Sequence, residues 1–381
     1  MHTFYEFFAG GGMVRAGLGE TWACLFANDF DHKKANTYRQ NWGTNELKVA
    51  DVGSLATSDI PKGADLAWAS FPCQDLSLAG GGAGLKGDRS GTFWPFWKLI
   101  GKLIEEKRAP SMIVLENVCG ALTSHEGQDF SAICNSFSTA GYNVGAFVVN
   151  ASLFVPQSRP RLFVIGVRKD IDFPEELVAD GPVNPWHTKA LVRAQNTLSK
   201  KVRDSWVWWN LPLPQTRAKS FTEMIEDEPT NPSWFSDSET QNLLAMMTPL
   251  NQDKVAKAKR LGYKIVGGVY KRTRPGSEGQ KVQRAEIRFD DMSGCLRTPA
   301  GGSSRQIVVI VDGKQIKARL ISKRETARLM GLPESYNLPE NYNEAYHLTG
   351  DGVVVPVVRH LATHIFEPIL KAAQVQASVA A

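Results

Sequence analysis

The chain has 381 residues, room for a catalytic core and a second module, and its 43% hydrophobic and 22% charged content excludes wholesale disorder. Its 5 cysteines, Cys24, Cys73, Cys119, Cys134 and Cys295, form an odd set without a CxxC pair, which argues against a disulfide framework or a structural zinc site. A net charge of +5 does not by itself imply a nucleic-acid partner, but residues 251–325 hold 18 Lys and Arg against 7 Asp and Glu, so the basic charge is concentrated there. The N-terminus lacks a basic start followed by an apolar stretch, and the sequence shows no apolar run of membrane-spanning length; the expectation is a cytoplasmic protein without a membrane partner.

Taken in order, the first 170 residues alternate short apolar runs with longer amphipathic ones, which predicts an α/β fold built on a doubly wound parallel sheet. Strands are expected at 3–8, 23–27, 65–69, 112–116, 143–149 and 162–167, with helices around 31–41, 93–107 and 129–140. Beyond Lys169 the texture changes to scattered prolines, clustered tryptophans at 206–209 and basic loops, so 172–318 reads as a second, smaller, irregular domain. Residues 1–171 are then the first domain and 319–381 a C-terminal segment returning to it. Periodic helix returns at 322–330 and 356–370, and the small-residue tail 372–381 is expected to fray.

In an open α/β sheet, ligands bind beyond the carboxyl ends of the strands, and the distinctive residues fall at those positions. Phe8-Ala9-Gly10-Gly11-Gly12 ends the first strand, where glycines admit close approach to the backbone; the GxGxxG spacing of a dinucleotide site fails. Asp29 ends the next strand, able to accept from ribose hydroxyls, with Phe30 able to stack on an adenine, although Asp29 or Asp31 serves equally well as a helix N-cap. Phe71-Pro72-Cys73-Gln74 follows the 65–69 strand and leads into glycine-rich residues that suit a closing lid at 78–91. A thiol in such a loop can act as a nucleophile, or it can be structural. Glu116-Asn117-Val118 ends a further strand, and Gln157-Ser158-Arg159-Pro160-Arg161 offers two cations, one to hold a carbonyl oxygen and one to organise the site.

These blocks, with residues 319–331 and Gly350-Asp351-Gly352-Val353, resemble in content and order those of the DNA cytosine-5 methyltransferase family, bacterial or phage type. The resemblance spans nearly all of the chain outside 172–318. It implies a Rossmann-like methyltransferase sheet with S-adenosylmethionine as donor, a setting in restriction–modification, and a target-recognition domain over 172–318. It also implies catalysis through a Cys73 adduct at carbon 6 of a flipped-out cytosine. Glu116 would contact ring nitrogen 3 and the amino group, Arg161 would hold oxygen 2, and Arg159 would support the site. Cofactor contacts would come from Phe8, Ala9, Gly10, Gly12, Asp29, Phe30, Asp51, Pro72, Asp351 and Val353, and DNA contacts from Gln74 and Ser77; in the variable module the basic segment 271–274, with Arg272 and Arg274, can bind phosphates or base edges. One departure is Asp351, where the family usually carries asparagine.

Two other readings share these residues: a transfer RNA methyltransferase of the same architecture and a catalytically silent DNA-binding regulator. The long second module favours a reader of duplex DNA, and the presence of Cys73, Glu116, Arg159 and Arg161 favours an enzyme. His360 and His364 stand at i, i+4, but the Glu of an HExxH site and a third ligand are missing, so no metal is expected. The protein is expected to act as a monomer.

Overall fold

The structure is a computed structural model that describes residues 1–72, 84–86, 90–275, 279–298 and 305–380. The chain forms two compact units. The first comprises Met1–Asn150, Pro160–Leu213 and Val355–Ala381, and the second Ala151–Arg159 and Pro214–Val354.

The first unit is built on seven strands, β1 (His2–Phe7), β2 (Trp22–Asp29), β3 (Leu47–Val49), β4 (Leu66–Ala69), β5 (Met112–Asn117), β6 (Tyr142–Asn150) and β7 (Pro160–Arg168). Their order is β3-β2-β1-β4-β5-β7-β6. Every residue of β4 and β5 is buried, which explains their continuous apolar runs: a sheet covered on both faces has no solvent side to alternate toward. Helices α1 (Met13–Leu18), α2 (His32–Trp42), α3 (Phe93–Glu105) and α4 (Gln128–Thr139) lie between the strands in sequence. In α3 the buried side chains Phe93, Phe96, Leu99, Ile100 and Leu103 recur at helical spacing.

The sheet departs from an all-parallel expectation at one strand. β7 runs antiparallel to both β5 and β6. Only residues 151–159 join β6 to β7, and a parallel crossover needs about a dozen residues or more. The reversal carries the start of β7 to the carboxyl end of β5, with Leu162 opposite Asn117 and Phe163 opposite Glu116.

The compact units also break at 213/214 and 354/355, whereas the sequence suggested 171/172 and 318/319. Residues 172–213 lie with the first unit because they cover an edge of its sheet: Val144 donates to the Ser205 carbonyl at 3.0 Å, and Val207 donates to the Val144 carbonyl at 2.8 Å. The chain returns to that unit at Val355, where the helix Val355–Leu361 meets α1; a Cβ on Gly17 would lie 2.5 Å from the Val358 Cβ. The C-terminal residues expected to fray instead continue a helix to Ala380. Contrary to the sequence reading, the run Tyr342–Ser378 is long and apolar enough by composition for a membrane span; 56% of its most apolar window is buried in protein, and its helix is broken at residues 352–354.

The second unit is more regular than its proline-rich sequence suggests. β8 (Ile265–Pro275), β9 (Lys281–Arg288), β10 (Ile307–Asp312) and β11 (Gln315–Leu320) form an antiparallel sheet in the order β11-β10-β8-β9. Val269, Ala285, Ile287, Val309 and Val311 share a core with Leu243 and Val255 from the helices Asp237–Ala245 and Pro249–Leu261. Below the sheet, Arg319 and Glu325 form a wholly buried two-pronged pair at 2.8 and 2.6 Å, and Glu325 also completes a capping box with Ser322.

Candidate active site

The strand order reverses between β1 and β4, so the crevice at their carboxyl ends is where this architecture binds ligands. The turn after β1 is built for close approach. Phe8, Gly10 and Gly12 all have left-handed backbone, with φ of 57°, 55° and 78°. Glycine is needed twice for different reasons. A Cβ on Gly12 would lie 2.3 Å from Trp42 Nε1, while one on Gly10 would meet nothing within 4 Å, so space is open beside Gly10.

Acidic side chains fix this turn from beneath. Asp29, at the end of β2, accepts from the Gly10 N–H at 2.7 Å and from the Asp31 N–H at 2.8 Å. The N-cap of α2 is Asp31, whose carboxylate accepts from the Lys33 and Lys34 N–H groups. Asp29 keeps lone pairs for a further donor, but its first task is to hold the glycine turn. Burial raises its pKa. Glu6, which the sequence reading missed, sits inside β1 and accepts from the Val14 N–H at 3.2 Å; burial pushes its carboxyl up to about 8. The available signal was an acidic residue within an otherwise apolar strand.

Phe30 is 64% exposed immediately after Asp29, a free aromatic face at the strand end. Asp51 caps a short helical turn by accepting from the Gly53 N–H at 2.7 Å. An open glycine turn, an anchored carboxylate and an exposed aromatic suit a donor with an adenosine and an amino-acid end, as S-adenosylmethionine has.

Beyond β4, Asn117 donates to the Phe71 carbonyl at 3.1 Å and uses its Oδ1 to accept from the Val118 N–H at 2.8 Å. One amide therefore ties the β4 exit, up to the half-buried Pro72, to the end of β5. Beside it, Arg161 Nε stands 3.2 Å from Glu116 Oε1, with side-chain exposures of 16% and 7%. The reversed β7 makes this pair possible. Burial raises the pKa of the Cys119 thiol, with Arg161 pulling the other way. Cys73, Gln74 and Ser77 lie outside the described residues, as does most of the expected 78–91 lid.

Arg159 and Arg161, two residues apart, have different surroundings. Arg159, in the second unit, is 2% exposed and donates to the carbonyls of Leu296, Gly350 and Gly352 at 2.7, 2.8 and 2.7 Å. Those bonds hold backbone together. Also in that unit, Asp351 ends the helix Tyr342–Asp351 and accepts from the Thr298 hydroxyl, and Val353 is buried. Arg274 pairs with Glu286 at 3.0 Å, and Arg272 lies over the Tyr270 ring at 4.5 Å. His360 shares a hydrogen bond of 2.8 Å with the Pro212 carbonyl oxygen, and among the described residues no group of three His, Cys, Asp or Glu side chains is placed to hold a metal.

Comparison with known proteins gives the family. Residues 2–367 match the family described as C-5 cytosine-specific DNA methylase. Type II methyltransferase M.HhaI of Haemophilus parahaemolyticus is 25% identical over 372 residues, covering 95% of this chain and 93% of its own. Type II methyltransferase M.HpaII of Haemophilus parainfluenzae is 24% identical, with 96% and 90% covered. In fold the chain is similar to the Dnmt2 methyltransferase of S. pombe, with a TM-score of 0.59, 17% identity and coverage of 97% and 99%. The chain belongs to the C-5 cytosine-specific DNA methylases and is a DNA cytosine-5 methyltransferase.

Proposed function

We propose that this enzyme methylates carbon 5 of a cytosine flipped out of duplex DNA, at a sequence chosen by its second unit, through a covalent Cys73 adduct. The observation that carries the reading is the buried Glu116–Arg161 pair at the end of β5, beside the β4 exit that leads in sequence to Cys73. Carbon 5 of cytosine is a weak nucleophile. Addition of the Cys73 thiolate to carbon 6 forms a carbon–sulfur bond and moves electron density toward carbon 5 and the ring nitrogen, which Glu116 holds. Arg161, fixed by Glu116, faces oxygen 2 and stabilises the charge that develops there. After methylation, loss of the carbon 5 proton restores the double bond and expels Cys73. Arg159 is assigned a supporting role by the resemblance, and its own bonds fix the carbonyls of Leu296, Gly350 and Gly352 within the second unit.

When bound, S-adenosylmethionine supplies a methyl group on a sulfonium leaving group. The Phe8–Gly12 turn, Asp29, Phe30, Asp51 and Pro72 are the residues of the first unit that would hold it, with Asp351 and Val353 assigned from the second. A stacked base cannot present carbon 6 to a thiol, so the target must leave the duplex, at a cost of about a few kcal/mol. Gln74 and Ser77 are assigned to DNA by resemblance, and Arg272 and Arg274 by their exposed charge.

Duplex DNA carrying 5-fluorocytosine at the target tests the covalent step, because fluorine does not leave as a proton does. We expect a denaturation-resistant complex joined through Cys73, absent in Cys73→Ala, together with loss of labelled-methyl transfer in that variant. Trapping through another cysteine, or transfer by Cys73→Ala, overturns the assignment.

A further inference from the structure

In the β8–β9 ribbon, residues directly opposite each other share a face. Val269, Ala285 and Ile287 are buried in the core of the second unit, so the alternate residues Tyr270, Arg272, Arg274, Arg284, Glu286 and Arg288 form the outward face. Arg272 stands opposite Arg284 in the register. Like charges directly opposed on one face destabilise a ribbon, so a folded ribbon that keeps them calls for a compensating anion.

Glu286 supplies only part of that compensation. Its Oε2 accepts from the Tyr270 hydroxyl at 2.6 Å and its Oε1 from Arg274 at 3.0 Å. Arg272 Nε is 3.9 Å from Oε2, too far for a hydrogen bond, and its guanidinium is instead seated over the Tyr270 ring at 4.5 Å. Arg288 is occupied by Asp290 at 2.6 and 2.5 Å. Among the described residues Arg284 has no carboxylate partner, and Arg272 has no hydrogen-bonded one. The face thus holds Arg274 and Arg288 in local pairs and presents two opposed guanidinium groups outward.

Resting on the reading of this protein as a DNA methyltransferase, we propose that Arg272 and Arg284 together clamp a single backbone phosphate of the DNA, while the Tyr270 ring, itself tied to Glu286, seats Arg272. A guanidinium that reads a guanine edge acts alone, through two parallel bonds to one base. Two guanidinium groups carried at directly opposed positions of neighbouring strands suit a compact anion with several acceptor oxygens, and a phosphate relieves their mutual repulsion. Such a clamp fixes register on the duplex and carries no sequence information itself.

The test is fluorescence anisotropy of the full chain on a random-sequence duplex across a salt series, with thermal melting of each variant as a check on folding. Neutralising one phosphate contact flattens the slope of log affinity against log salt by about 0.9. We expect the double variant Arg272→Gln with Arg284→Gln to lose about 0.9, each single variant to weaken binding, and Arg284→Lys to keep the slope. An unchanged slope in the double variant overturns the proposal, as does a loss of about 1.8, which means two separate phosphates. A loss confined to one cognate base pair overturns it in favour of base reading. Labelled-methyl transfer by the wild type is measured separately: if it transfers none to DNA yet shows the slopes above, the function fails while the clamp stands.

Discussion

Glu116 and Glu286 both sit beside arginines, one in each compact unit, and their surroundings differ. Glu116 is 7% exposed at the end of a wholly buried strand and pairs with Arg161. Glu286 is 26% exposed on an outward ribbon and shares its oxygens among Tyr270, Arg272 and Arg274. Removing a carboxylate from water is costly, and a buried ion pair is poor value for stability alone, whereas its field and orientation are strong where water is excluded. The first arrangement suits chemistry on one ring. The second is screened by solvent and divided among several partners, which suits docking on a charged polymer.

The largest effect expected from this contrast is on the chemical step. Glu116→Gln keeps an acceptor toward Arg161 but removes the charge, and we expect the single-turnover methylation rate to fall by about 10²–10⁴-fold with DNA affinity nearly unchanged. An unchanged rate would reduce Glu116 to a strand-end anchor.

A third carboxylate sharpens the role of burial. Glu6 is 1% exposed, and its pKa rises from 4.5 to about 8. An acid whose folded pKa is raised contributes stability that is fully present below pH 4.5 and lost as pH climbs through 8. We therefore expect the melting temperature of the wild type to drop between pH 6 and pH 9 more than that of Glu6→Gln, whose amide still accepts from Val14. Parallel pH profiles in differential scanning calorimetry would show that Glu6 is not neutral in the native protein.

The smallest effect belongs to the ribbon. Glu286→Gln removes one negative charge from the outward face of the ribbon, and if that face docks DNA we expect random duplex to bind about threefold more tightly at low salt, within the range of one exposed charge. Tenfold weaker binding would mean that its hold on Arg272 outweighs its charge.

How much of this was readable in advance follows from what a sequence pattern encodes. β4 and β5 stand out as apolar runs because both faces are covered. The reversal of β7 does not, because periodicity is blind to strand direction; the nine residues between β6 and β7 held the clue. The second sheet was concealed in β8, where Gly267 and Gly268 are followed by the basic cluster Lys271, Arg272 and Arg274, so little of the buried face reads as apolar. At the site, the motifs mark which residues are special without saying what each touches. Asp29 reads as a ligand for a ribose or a cap, yet its carboxylate holds the N–H groups of Gly10 and Asp31. Arg159 and Arg161 read as a matched pair, yet Arg159 grips the carbonyls of Leu296, Gly350 and Gly352 while Arg161 pairs with the Glu116 carboxylate. Partners distant in sequence decide such roles.

The short segment Ala151–Arg159 bears on how the second unit can be exchanged by recombination. It belongs to the second unit although β6 and β7 on either side belong to the first. Gln157 donates to the Leu329 carbonyl at 2.8 Å and accepts from the Leu296 N–H at 3.0 Å, next to the carbonyls that Arg159 holds. A gene fragment encoding only residues 214–354 would arrive in a new host scaffold without these nine residues and would have to rely on the resident segment to make the same bonds. An exchanged unit would therefore need compatible residues at 157 and 159, and a designed chimera should carry both pieces of the unit together.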